Sequence, residues 1–318
     1  MRKTGFLYDK RYLLHQPGTF HPEIPERLEV IYQGIEAAGL LPMLTPIEAM
    51  PVDRKWIETV HDKSFIDRFQ ACCCDGQETF DDKDNQMCAD TFDTVMLAVG
   101  GVLNAAKLIM EGKLDNAFCA IRPPGHHAES NKAMGFCYVN NIAVAARYLQ
   151  TEWKIEKIGI IDIDVHHGNG TQQIFEEDPT VFYYSIHEHP TFAYPGTGRE
   201  FDAGKGEGYG YTKNSPVLPD QGDDEYTRLV ERDLFPTFER FKPEVILLST
   251  GFDAHVDDTL ADINLSTEWF SWMLKKVLEM ADKFAQGRLI SILEGGYDLN
   301  HLPELAKNHV EILLNNSP

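Results

Sequence analysis

The sequence has no C-x-x-C pair, no low-complexity linker, no internal repeat and no sustained heptad pattern. Its six cysteines are Cys72, Cys73, Cys74, Cys88, Cys119 and Cys137. Their spacing excludes a zinc ribbon and a thioredoxin-type motif. Three adjacent thiols cannot readily share one tetrahedral ion, so free cysteines are expected. Without linkers or repeats, residues 1–318 read as one domain. Basic residues are scarce: 29 Lys and Arg stand against 50 Asp and Glu, a net charge of −21. That balance argues against direct nucleic-acid binding, which needs a basic stripe. It suits either solubility or the attraction of a cationic peptide. The amino-terminal twenty residues contain no apolar stretch of signal-peptide length, and no run approaches the ~18–20 apolar residues of a membrane span. The expectation is a cytoplasmic protein with no membrane partner.

Apolar residues make up 43% of the chain, enough for a large core. Five short apolar runs each end abruptly in a polar cluster. Residues 117–121 lead into 122–129, 157–165 into 166–170, 180–186 into 187–190, 244–250 into 251–255, and 288–293 into 294–297. Near-continuous Ile, Val and Leu suit strands buried on both faces of a parallel sheet. Helix-like segments at 90–110, 135–150, 224–241 and 267–285 precede or separate them. The alternation predicts an α/β fold with right-handed crossovers. Ligands in such folds bind beyond the carboxyl ends of the strands. The polar clusters all fall there, which points to one composite site.

The most informative segment is I-D-I-D-V-H-H-G-N-G, residues 161–170. If the strand continues through it, Asp162, Asp164 and His166 share one face and His167 takes the other. Asp164 and His166 are then candidate metal ligands, with Asp162 supporting them from behind. Two buried carboxylates side by side without a cation are costly. A catalytic zinc keeps three protein ligands and an open position. Asp253, in S-T-G-F-D-A-H, is the best third candidate, and His255 two residues on is a competitor. In R-P-P-G-H-H-A-E, residues 122–129, a rigid Pro-Gly turn presents His126 and His127. Adjacent histidines diverge, so they suit proton transfer better than joint ligation. In L-E-G-G-Y, Tyr297 on a double-glycine turn could donate a hydrogen bond to a developing oxyanion, or simply fill the core.

Taken in order, H-P-E-I-P-E-R-L, P-P-G-H-H-A-E, G-F-C-Y-V-N-N, D-I-D-V-H-H-G-N-G-T-Q, P-G-T-G, S-T-G-F-D-A-H and L-E-G-G-Y span most of the chain. The set resembles the arginase–deacetylase superfamily in its histone-deacetylase branch. The resemblance implies a single arginase/deacetylase-type domain around a mostly parallel sheet of about eight strands flanked by helices. It implies one catalytic Zn2+ on Asp164, His166 and Asp253, with His127 as general base. His126, hydrogen-bonded to Asp162, would support charge, and Tyr297 would polarise the amide carbonyl. It further implies an acyl-lysine tunnel walled by Phe136 and Tyr194, with Gly135 beside Phe136, Leu260 at its gate, Arg27 deep near the departing acid and Asp84 at the rim. A structural K+ is implied at Asp162, Ser185 and the carbonyl of Ile186, and a second around Phe175, Asp178, Val181 and Tyr211.

Asn169, where some deacetylases carry an aspartate, resembles the class II and bacterial members. Tyr194 replaces the family's usual phenylalanine, and the loop around Asp84 departs from the family pattern. The expected substrates are acyl-lysine proteins or peptides. Acetylpolyamine hydrolysis is the alternative, and Leu260 tilts against it because polyamine-selective relatives can carry a glutamate there. A two-metal ureohydrolase would need further ligands. A non-catalytic scaffold would be expected to have lost a ligand, a histidine or the tyrosine, and all are present.

Overall fold

The computed structural model describes residues 2–315. Its ten strands are β1 (Thr4–Leu7), β2 (Thr45–Ile47), β3 (Thr79–Phe80), β4 (Asp82–Gln86), β5 (Asn116–Cys119), β6 (Ile158–Asp162), β7 (Val181–Glu188), β8 (Thr212–Val217), β9 (Val245–Thr250) and β10 (Leu289–Leu293). Eight of them form one sheet in the order β2-β1-β5-β10-β9-β6-β7-β8. Every pairing in that sheet is parallel. Strands β3 and β4 form a separate antiparallel hairpin. The single α/β domain with about eight central strands is therefore as expected, and the sheet is wholly parallel.

The inner strands β5, β6, β7, β9 and β10 are buried at every position, so helices must cover both faces. Two neighbours on β1 show that they do. The Leu7 side chain lies against Gly101 of the helix Thr91–Met110. Phe6, pointing the other way, stacks on Phe118, whose ring meets His309 of the helix Leu302–Asn315. Helix Asn141–Trp153 packs on Thr91–Met110, while Glu26–Ala37 and Thr267–Phe284 both pack on Leu302–Asn315. Asn140 caps the helix that follows it by accepting from the Ala143 amide, and Ser266 does the same toward Trp269.

Several sequence expectations are corrected. The run 157–165 is a strand only to Asp162, so strand alternation does not place Asp164 and His166; an irregular loop does. The segment 135–150 turns helical only at Asn141, because Gly135 and Phe136 both adopt positive φ, 53° and 68°. The stretch 224–241 is helical but broken by a π turn at Val230–Leu234. Strands β1, β2 and β8 escaped notice: β1 is buried but only four residues long, with Gly5 inside it, and β2 and β8 are sheet edges, short or polar and carrying Pro46 and Pro216, so no apolar run marks them. Helix Thr91–Met110 is the one described helix long and apolar enough, by length and a window hydropathy of 1.5, to cross a membrane; it is no unbroken apolar run, and two-thirds of that window is buried inside the fold. All six cysteines are unpaired, and Cys72, Cys73 and Cys74 turn along one helix from half-buried to buried to exposed.

Candidate active site

Strands β5, β10, β9 and β6 are neighbours at the centre of the sheet, and the loops leaving their carboxyl ends meet. Asp162 is the last residue of β6 and is fully buried. Its Oδ2 lies 3.1 Å from His126 Nδ1 and accepts the Tyr183 hydroxyl at 3.0 Å. Past it the loop folds Asp164 and His166 back over the strand ends. Asp164 Oδ2 accepts the Gly295 amide at 2.8 Å, and Asp253 Oδ1 accepts the Val165 amide at 3.0 Å. Each carboxylate thus has one oxygen anchored by backbone and the other turned inward, Asp164 Oδ1 also accepting the His166 amide at 2.9 Å. His166 Nδ1 faces both inward oxygens, 3.2 Å from Asp164 Oδ1 and 3.2 Å from Asp253 Oδ2.

One ligand atom from each of Asp164, His166 and Asp253 therefore falls within 4.8 Å of the others. Gly295 makes this possible: a Cβ there would stand 2.1 Å from Asp253 Oδ2 and 2.7 Å from Asp164 Oδ2. The three groups as a bare set are electrostatically frustrated. Burial, then the charge of Asp164, pushes the Asp253 carboxyl up to about 7. His166 is raised to about 10, its two carboxylate partners outweighing burial. A divalent cation among them would relieve both, so the donor set fits zinc. His255 does not join it. Its Nε2 lies 3.1 Å from the Thr267 hydroxyl, and it groups instead with Asp257 and His301.

The 122–129 turn is held from β10 by Glu294, whose Oε2 accepts the amides of Gly125 at 2.6 Å and His126 at 3.1 Å. The two imidazoles it presents lie 4.0 Å apart but meet opposite environments. Burial disfavours charge on His126, yet Asp164 and Asp162 outweigh it and raise the group to about 10. His127 has no carboxylate partner. Burial, with the charges of His126 and His166, drives it well below its ordinary 6.5. Its Nδ1 is 2.8 Å from Asn169 Oδ1, and Asn169 Nδ2 donates to Glu129 Oε1 at 2.8 Å. Asn169 therefore presents its acceptor end, His127 Nδ1 carries the proton, and Nε2 keeps its lone pair.

A cavity of about 190 Å³ opens over these groups, lined by Asp84, His127, Gly135, Phe136, His166, Tyr194, Leu260 and Tyr297. The Tyr194 ring meets His127 edge-on at 5.1 Å, and the Phe136 ring meets Tyr297 at 6.0 Å, so each aromatic ring on the cavity lining packs beside a candidate catalytic group. Phe136 is fixed by its amide donating to Asn85 Oδ1 at 2.8 Å and by the His21 ring at 4.5 Å. Gly135 must be glycine: at φ 53° a Cβ would stand 2.3 Å from the His127 ring. Burial holds the Tyr297 phenol well above 10, so it stays a donor. Arg27 does not line the cavity. It is fully buried behind Tyr297, its guanidinium 4.7 Å from that ring, donating to the carbonyls of Gly296 and Glu294 at 2.6 Å each.

Of the candidate potassium positions, Asp162 and Ser185 are register partners on β6 and β7, with Ile186 next on the strand. The Ser185 hydroxyl pairs with His187 Nδ1 at 2.7 Å. Phe175, Asp178 and Val181 share one turn, and the Tyr211 carbonyl accepts from Tyr183 across β7. Sequence reasoning missed Glu23, Arg122 and Glu294. Glu23 is fully buried, paired with Arg122 at 2.8 Å and Arg27 at 3.1 Å. The signal was present, since all three charges sit inside quoted motifs, but nothing in the chain order said which pair.

The model of the family described as "Histone deacetylase domain" matches residues 21–313. The chain belongs to the histone deacetylase family. It is 36% identical to a "Probable deacetylase" of Archaeoglobus fulgidus over 93% of this chain and 82% of that protein. It is 36% identical to histone deacetylase 5 of Arabidopsis thaliana, covering 98% of this chain but 49% of the plant protein. A histone deacetylase-like amidohydrolase of Pseudomonas aeruginosa is 32% identical over 95% of this chain and 83% of its own length. Among solved structures, that of the HDA15 HD domain superposes with a TM-score of 0.92 at 33% identity, covering 100% of this chain and 90% of that one. Membership in this family of deacetylases and deacetylase-like amidohydrolases supports a hydrolase activity for the domain.

Proposed function

We propose that this histone-deacetylase-family domain hydrolyses the side-chain amide of acyl-lysine in proteins or peptides, with one zinc ion held by Asp164, His166 and Asp253. The carrying observation is the neutral, open Nε2 of His127 beside that donor set, with the Tyr297 hydroxyl lining the same 190 Å³ cavity. Bound zinc would supply Lewis acidity toward the acyl carbonyl and toward water. His127, kept unprotonated by burial and cationic neighbours, takes the proton from the attacking water. Tyr297 donates to the oxygen on which negative charge develops. His126, held charged by Asp162 and Asp164, stabilises that charge through space. Phe136 and Tyr194 flank the acyl-lysine stem and exclude water, which disfavours entry of a free ammonium. A structural K+ near Asp162, Ser185 and the Ile186 carbonyl belongs to the same proposal.

A second reading, hydrolysis of acetylated polyamines, draws support from the Asp84 carboxylate on the cavity wall and the net charge of −21. Leu260 opposes it, since an apolar gate offers a second ammonium no partner, and the long-range field is screened beyond ~8 Å at physiological salt. The test is a turnover panel of acetyl-, lactyl- and longer acyl-lysine peptides beside acetylspermidine and acetylputrescine, with the unmodified protein and Leu260→Glu. Peptides should show the higher kcat/KM, and Leu260→Glu should narrow the gap. A preference of the unmodified protein for polyamines selects the second reading.

A further inference from the structure

A second cluster of metal-ligating side chains lies outside the active site, on the two loops that carry Leu260 and Tyr297. His255, Asp257 and His301 each bring a ligand atom within 4.8 Å of the other two. We propose that these three residues form a second divalent-cation site, suited to zinc or a similar first-row ion.

The case rests on how the three side chains are held. His255 is buried, and its Nε2 reaches the Thr267 hydroxyl at 3.1 Å. Its Nδ1 faces the Asp257 amide at 3.3 Å, a long contact that a metal ion on Nδ1 would replace. The same Nδ1 lies 3.7 Å from Asp257 Oδ2. His301 Nε2 lies 3.4 Å from the same carboxylate oxygen. Its Nδ1 is hydrogen-bonded to Asp298, the carboxylate–histidine arrangement that orients a metal-binding imidazole. The two rings stack at 4.9 Å with 30° between their planes, so both nitrogens approach Asp257 from one side. Two imidazoles and one carboxylate, each imidazole held by an outer partner, match the ligand types of borderline ions and are a poor set for calcium or magnesium.

An ion there would tie the 255–265 loop to the segment after Tyr297. Those segments are already joined through Asp258, whose Oδ2 accepts the Tyr297 amide at 2.6 Å and the Asp298 amide at 3.2 Å. Occupancy would thus stiffen the gate that holds Leu260.

The site is independent of the hydrolase reading, and zinc chloride titrated into the full chain, read by calorimetry and by metal content after gel filtration, tests it. Two zinc ions per chain are expected. His301→Ala and Asp257→Asn should each remove the weaker one, and Asp298→Ala should weaken it by ~10–100-fold. Asp164→Asn should reduce the other and leave this one. Asp257 and His301 are partly exposed, so these variants should fold normally, which circular dichroism checks. Zinc binding in which no site is lost in His301→Ala and Asp257→Asn while surviving Asp164→Asn overturns the proposal, whatever the occupancy of the other site.

Discussion

Replacing Tyr297 with phenylalanine removes one oxygen atom and little else. The ring is held by the Arg27 guanidinium at 4.7 Å and the Phe136 edge at 6.0 Å, and its backbone amide by Asp258 at 2.6 Å. None of these contacts uses the hydroxyl, which makes no hydrogen bond to another group among the described residues and is left for whatever fills the cavity. The fold should therefore lose no more than ~0.5 kcal/mol, the range for substitutions that break no network. The hydroxyl's full effect should appear where charge develops on the acyl oxygen. Losing one such donor lowers kcat by about 10²–10³-fold, or ~2.7–4 kcal/mol. Because the interaction strengthens only in the transition state, KM should move little. The assay is steady-state turnover of an acetyl-lysine peptide near neutral pH, with zinc content and thermal melting measured on the same preparation. Near-normal kcat with zinc bound would return Tyr297 to a packing role. A defect confined to KM would mean that the hydroxyl binds substrate rather than the transition state.

His127→Ala should lose more turnover than His126→Ala, by up to ~10²–10⁴-fold, because only His127 is a neutral acceptor; metal-saturated kinetics decide it, and a reversed order exchanges the roles. Gly295→Ala should weaken zinc by ~10–100-fold, since its Cβ would collide with Asp253 Oδ2 at 2.1 Å; unchanged zinc affinity by competition with a chelator would count against the ligand set. Glu23→Gln should cost ~3–5 kcal/mol in denaturant unfolding by leaving Arg122 and Arg27 short of a buried counter-charge, and an effect below ~1 kcal/mol would contradict that pairing. In the unmodified protein burial opposes ionisation of Glu23, but Arg122 and then His15 and Arg27 hold its carboxyl far below the usual range. Its contribution is therefore complete above the unfolded value of ~4.3 and drains away as pH falls below it, so Glu23→Gln should flatten the acid limb of stability against pH.

The sequence exposed those parts of this fold in which burial leaves a periodic trace. Strands β5, β6, β7, β9 and β10 are covered on both faces, so they read as apolar runs, and their carboxyl ends located the site. Edge strands β2 and β8 face solvent or carry proline and leave no such trace. The donor set was legible as residue types but not as geometry. Strand alternation would have aligned Asp162, Asp164 and His166, yet β6 stops at Asp162 and the other two are placed by hydrogen bonds to Gly295 and within the loop. Asp253 was the better third candidate from sequence and His255 its competitor, because both follow the same strand end; the directions of the two side chains needed coordinates. Only there does Asp253 point at His166 while His255 turns to Thr267.

The buried charges were the least legible part, and the reason is physical. A pairing such as Glu23–Arg122 joins segments 99 residues apart and obeys no period. Yet it carries the site. Glu23 anchors Arg122, which ties down the carbonyls of Tyr12 and His15, and also Arg27, which spans the carbonyls of Glu294 and Gly296. Glu294 in turn accepts the amides that aim His126 and His127. One fully buried carboxylate thus reaches both Tyr297 on one wall and the histidine pair on the other. Arg27, expected deep near the departing acid, is fully buried behind Tyr297 and joins Glu23 to the carbonyls of Glu294 and Gly296. Lysine there could supply one charge but not the planar fork that bridges two carbonyls and Glu23 at once. The reacting groups are read from motifs, and their spacing is read from this network.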